Sequence, residues 1–176
     1  MKQAHICLDE TLGIRYAILP GDPARLDRIA KELTDVQELA YNREFRSLRG
    51  RYKGVDVLAL STGIGGSSAG IAVEELHNIG ITAAIRIGSC GALQKGIGLG
   101  ELILVSGAVR DDGASKAYVP AIFPAVADFT LSKAVSVFGG NTSYDKDGTP
   151  HFKISEIFMV MILCTMILRK KYLFII

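Results

Sequence analysis

The chain has no tryptophan, only three cysteines and three histidines, and almost no excess of either charge. Cys7, Cys90 and Cys164 lie far apart, form no Cys-x-x-Cys pair and are odd in number, which argues against a disulfide framework. His5, His77 and His151 are equally scattered, so metal-ligand spacing is absent and no metal is expected. Twenty Lys and Arg against eighteen Asp and Glu leave a net charge of +2, which gives no reason to expect nucleic acid as a partner. The first ten residues include charged and polar side chains and lack the apolar run of a signal peptide, so the expected location is cytoplasmic. No apolar run reaches the ~18–20 residues of a spanning helix. What is present suits a folded domain. A length of 176 residues at 49% hydrophobic content is enough for one substantial core.

The first half alternates between strand-like and helix-like runs. Tyr16-Ala17-Ile18-Leu19 reads as a buried strand, and Pro20-Gly21-Asp22-Pro23 as a turn with Pro23 in the first turn of a helix. Leu26, Ile29, Ala30 and Leu33 recur on one helical face. Two strands follow, over Arg43–Arg49 and Val55–Ser61, joined through Lys53-Gly54. Thr62 to Ser68 is a glycine-rich loop, with Ser67 or Ser68 expected to cap a helix that stops at Gly80. Ile81–Ile87 and Glu101–Val109 read as further strands, and Asp128–Phe138 as a helix broken by Gly139-Gly140-Asn141-Thr142. Strands separated by helices predict an α/β domain with a largely parallel or mixed sheet, whose ligand site lies at the strand carboxyl ends.

Two nucleotide motifs fail. Gly63-Ile64-Gly65-Gly66-Ser67-Ser68 begins like a dinucleotide fingerprint, but Ser68 replaces the third glycine and no acid stands near Ala83-Ala84. Gly91 and Gly96 have phosphate-loop spacing, yet Ile97 stands where lysine is required. Arginines are more informative. Arg86 lies inside Ala83-Ala84-Ile85-Arg86-Ile87-Gly88, where a core-facing charge needs a partner: either a paired structural role or an anion. Arg25 sits in the first turn of its helix, where the macrodipole disfavours a cation unless an anion is present. Arg43 is followed by Arg46, Arg49 and Arg51, which read as ordinary surface charge. Cys90, beside Ser89 and Gly91, reads as a small wall residue rather than a nucleophile.

Asn42-Arg43-Glu44-Phe45, Ser61 to Gly66, Ala72-Val73-Glu74-Glu75-Leu76, Asp112-Gly113-Ala114-Ser115 and Phe123 to Phe129 together resemble the nucleoside phosphorylase family, which includes uridine phosphorylase and the hexameric purine nucleoside phosphorylases. The resemblance runs from about His5 to about Phe138. It implies a three-layer α/β sandwich with a central mixed sheet, of phosphorylase/hydrolase-like type. It implies that Gly21, Arg25 and Arg86 bind phosphate and that Ser89 bridges phosphate and ribose. Arg43 would reach the phosphate, and His5 the ribose 5′-hydroxyl, from a neighbouring subunit of a dimer-based hexamer. Cys90 and Gly91 would line the base pocket. The expected reaction is phosphate-dependent cleavage of a nucleoside, giving free base and ribose 1-phosphate. Inorganic phosphate is the co-substrate, with no cofactor and no assigned catalytic acid or base. Uridine is the first expected substrate; a purine nucleoside, hydrolysis by water, and a non-catalytic binding or assembly module are the alternatives.

The resemblance stops before the end of the chain. Residues 1–150 are expected to form the phosphorylase-like domain and 151–176 an atypical apolar tail. Ile157 to Leu168 is almost unbroken in its apolar character and is followed by Arg169-Lys170-Lys171. A buried element, a product of truncation or a shifted frame, and an interfacial anchor are the three readings of this run. After Phe138 nothing matches the family's ribose-binding glutamate or base-reading residues. That difference predicts poor solubility and little turnover of uridine or inosine for the 176-residue chain.

Overall fold

The computed structural model describes residues 1–90, 104–105, 107–138, 143–144 and 150–151. Its scaffold is a five-stranded sheet of β1 (Tyr16–Pro20), β2 (Thr34–Asn42), β3 (Phe45–Tyr52), β4 (Val55–Leu60) and β5 (Ala83–Ile87), in the order β2-β3-β4-β1-β5. β1 runs parallel to both neighbours, with Ala17 opposite Leu58 on one side and Ala84 on the other. β2, β3 and β4 form an antiparallel meander. The sheet is therefore mixed, as expected. Lys53 (φ 49°) and Gly54 (φ 84°) make the tight turn between β3 and β4.

Alternation along the strands sends apolar side chains to both faces. On one face Ala17, Leu19, Leu58, Leu60 and Ala84 pack against Ala72, Val73 and Leu76 of the helix α2 (Gly66–Asn78). Ile6, Leu8 and Ile14 of the N-terminal segment complete this core. On the other face Leu48 and Ala59 meet Leu26 of α1 (Leu26–Ala30), with Ile29, Ala30 and Leu33 alongside. Each fully buried aliphatic side chain contributes roughly 1.5–3 kcal/mol. Helices on both faces give the three-layer α/β arrangement. Further along, α3 (Ser115–Tyr118) and α4 (Phe129–Phe138) follow, the latter begun by Asp128, whose Oδ1 accepts the Leu131 N–H at 2.8 Å. Ser143–Tyr144 (β6) and Pro150–His151 (β7) pair antiparallel.

Five expectations need correction. Thr34–Asn42 is a strand that the sequence reading passed over, because its side chains are mostly exposed and two register shifts break the period-two pattern. Arg43 and Glu44 form the turn before β3 rather than its first residues. α1 ends at Ala30, and Leu33 reaches the same apolar cluster through a tighter turn in which its N–H bonds Ala30 O. Neither Ser67 nor Ser68 caps α2: Gly65 does, and Ser68 Oγ lies instead 2.8 Å from Glu44 Oε1. The expected Glu101–Val109 strand falls partly outside the described residues, and within them it has only a single bridge, Gly107 to Val126. Gly91, the Gly139–Thr142 break and residues 152–176 also lie outside the described residues.

Candidate anion site at the strand ends

The carboxyl ends of β1, β4 and β5 meet. Beyond the strands the ladder continues: Thr62 N–H donates to Pro20 O and Gly63 N–H to Gly21 O, both at 2.9 Å. This zips the turn after β1 to the glycine loop after β4. Gly63 has φ +68°, and a Cβ there would stand 2.7 Å from Glu44 Cγ, so both backbone and space demand glycine. The resulting cleft has a volume of about 750 Å³. Gly21, Asp22, Pro23 and Arg25 line it from the first turn, Gly63, Ile64 and Gly65 from the second, and Arg86, Gly88 and Ser89 from β5 and its exit. Glu44 closes it from the β2–β3 turn.

Arg86 dominates the electrostatics. It is only 8% exposed, and its Nε and Nη1 are buried without a hydrogen-bond partner among the described residues. A Cβ on Gly21 would sit 3.4 Å from Arg86 Nη2, so the missing side chain lets the guanidinium lie against the turn. Burial, then repulsion from Arg25, pushes the Arg86 pKa below its ordinary value. Arg25 Nη2 donates to Ser89 Oγ at 3.0 Å, tying the first turn to the exit of β5. The Asp22 carboxylate shapes that turn by accepting the Ala24 N–H at 2.9 Å. Two guanidinium groups, one in no ion pair with a described residue, suit a tetrahedral oxyanion.

Gly21, Arg25, Arg86 and Ser89, candidate ligands in the sequence, thus line one cleft. Arg43 and His5 do not line this cleft. Arg43 is exposed at the turn with φ 54°. His5 is held beside that turn, its carbonyl accepting from Asn42 Nδ2 at 2.8 Å and its ring edge-on to Phe45. Cys90 is exposed beside Ser89 and does not line the cleft. Glu44 is a cleft residue that sequence reading had left without a role. Its own N–H, then Ser68, hold its carboxyl below the usual range, with Arg43 and His5 adding to the effect. The signal was its place between Arg43 and Phe45. Arg46 also departs from expectation: its side chain is 18% exposed and pairs with Asp27 at 2.8 Å and with Glu38, joining α1, β2 and β3. Among the described residues no group of three or more His, Cys, Asp or Glu could hold a metal ion, and no helix is long and apolar enough to cross a membrane.

With this fold and cleft, residues 15–143 match the model of the Phosphorylase superfamily, and the chain belongs to that family. Among its relatives, a uridine phosphorylase of Thermococcus kodakarensis is 47% identical over 133 residues, covering 76% of this chain and 48% of that protein. A guanosine phosphorylase of Halorubrum lacusprofundi is 43% identical, covering 73% of this chain and 53% of that protein. A crystal structure of uridine phosphorylase from Vibrio fischeri, complexed with 6-hydroxy-1-naphthoic acid, superposes with a TM-score of 0.77 at 49% identity. That alignment covers 81% of this chain and 58% of the other. The chain spans about half the length of the curated relatives it matches.

Proposed function

We propose that the cleft is the phosphate-binding part of a nucleoside phosphorylase site, acting on uridine first. The observation that carries this reading is the buried Arg86, two of whose donor atoms have no partner among the described residues, beside Arg25. Inorganic phosphate would lie between Arg25 and Arg86 near Gly21 and attack the anomeric carbon of a nucleoside. Ser89 would contact both phosphate and ribose, while Cys90 and Gly91 would border the base. As the bond to the base breaks, positive charge develops on the sugar and the held anion stabilises it, so positioning and electrostatics supply the rate. A water-using hydrolase has no need for such an arginine pair. The guanosine phosphorylase among the relatives supports a purine nucleoside as the second reading.

Arg43 and His5 stand outside their own chain's cleft, which supports their delivery to a neighbouring copy in a homo-oligomer. On this reading residues 1–150 form the phosphorylase-like domain and the protein acts in the cytoplasm. Isothermal titration with phosphate tests the site. Wild type should bind and a folded Arg86→Ala protein should bind at least about 30-fold more weakly, the lower end of what a buried charged contact gives. Equal affinity rejects the site. Release of uracil from uridine only when phosphate is present supports phosphorolysis, whereas phosphate-independent release supports hydrolysis.

A further inference from the structure

Glu75 has no place in the anion cleft, yet it is a buried carboxylate with an unusually full set of donors. It lies on α2, is 8% exposed, and accepts the Ile6 N–H at 2.8 Å and the His5 N–H at 3.0 Å. His5 Nδ1 lies 2.6 Å from Glu75 Oε1. Burial alone would raise the Glu75 carboxyl, but the Ile6 and His5 donors outweigh it and hold it below the usual range. An ionised carboxylate can only accept, so the proton between them belongs to Nδ1. Among the described residues Glu44 of the β2–β3 turn also bears electrostatically on this histidine. Asn42 and Phe45 fix its backbone and ring from the same hairpin.

We propose that Glu75 is a positioning residue for His5: by taking the Nδ1–H it selects the ring tautomer whose Nε2 is bare, an acceptor for a substrate hydroxyl. A neutral imidazole in water prefers the opposite tautomer, with the proton on Nε2, so the carboxylate must impose the choice. The geometry does so twice, through the ring and through the two backbone N–H groups that stop the segment from swinging away. The inference rests on the proposed reading in which His5 meets the ribose 5′-hydroxyl. It adds that this contact is one in which the hydroxyl donates.

The test has two arms. Ring nitrogen shifts of His5, assigned by loss of its signals in His5→Gln and recorded in mildly alkaline buffer, report the tautomer of the wild-type chain directly. The expected spectrum shows a protonated Nδ1 and a bare Nε2, reverting toward a protonated Nε2 in Glu75→Gln. A protonated Nε2 in wild type, or an unchanged tautomer in the variant, overturns the proposal. If Glu75→Gln does not fold, the wild-type spectrum decides by itself. The second arm compares uridine with 5′-deoxyuridine. The ratio of their kcat/KM values should fall about 10- to 100-fold in Glu75→Gln, the usual effect of removing a group that orients a histidine. Equal losses on both substrates would reduce Glu75 to a structural residue and overturn the proposal. If wild type turns over neither substrate, as the missing ribose- and base-binding residues predict for the 176-residue chain, the spectrum decides the proposal by itself, and phosphate titration separately decides the anion site.

Discussion

Replacing Arg86 with methionine should make the protein more stable and less able to bind phosphate. The side chain is 8% exposed and leaves Nε and Nη1 without partners among the described residues, while Arg25 repels it. Each buried donor left unsatisfied costs about 1–3 kcal/mol. Exchanging buried charges for apolar groups of similar size is often stabilising by about 1–4 kcal/mol. Methionine follows the same path along β5 without the charge. In buffer free of phosphate and sulfate the variant should therefore melt higher, by about 2–4 °C for each kcal/mol gained in a chain of this size. Phosphate at one hundred times its dissociation constant should stabilise wild type by about 2.7 kcal/mol and leave the variant unmoved. Differential scanning calorimetry with and without phosphate, at constant ionic strength, measures both effects. A variant that melts below wild type without phosphate would show that Arg86 stabilises the fold and is not poised for a ligand. A wild type indifferent to phosphate would refute the anion site itself.

Gly63→Ala should destabilise the chain by about 1–2 kcal/mol through its left-handed backbone and should weaken phosphate binding, because the new Cβ meets Glu44 Cγ at 2.7 Å; denaturant melts and titration check both. The Glu75 carboxyl has a folded pKa below that of a free glutamate, so its contribution is complete above the unfolded value and is lost as pH falls through the folded pKa. Glu75→Gln should therefore flatten the acid limb of a Tm-against-pH curve below about 4.5, and a curve parallel to wild type would contradict this. Arg110 binds the carbonyls of Ser115, Val119, Pro120 and Phe123 and the Ser115 hydroxyl. Arg110→Lys cannot span these acceptors, and limited proteolysis should cut between residues 110 and 123 sooner, with a stability loss of roughly 2 kcal/mol.

Much of the parallel part of the fold could be read because its strands are buried and short, and turn chemistry bounds them. Pro20-Gly21-Asp22-Pro23 marks the end of β1, Lys53-Gly54 marks a hairpin, and Gly80 ends α2. β2 carries little sequence signal because an edge strand gains little from apolar alternation, and here two register shifts and exposed charges blur what alternation there is. The N-terminus of α2 was misplaced for a related reason. Serine commonly caps a helix, but Ser68 is claimed by Glu44 and Thr62 across the fold, contacts invisible to local spacing.

The order of residues alone determined that Arg86 would sit in an apolar strand, that Gly21 and Gly63 would mark turns, and that Arg25 would open a helix. Those are local facts, set by which side chains a strand, turn or helix start will tolerate. Only the tertiary structure decided that these segments share one cleft. The parallel pairing of β1 with β4 and β5 brings together chain positions separated by more than sixty residues, as in the Arg25–Ser89 contact. It also decided that Glu44 would enter that cleft while neighbouring Arg43 would turn outward, and that Glu75 would reach back across seventy positions to His5. Such distances in sequence carry no periodic signal. They are closed by burying the two faces of the sheet, and the functional groups are carried to one another by that packing.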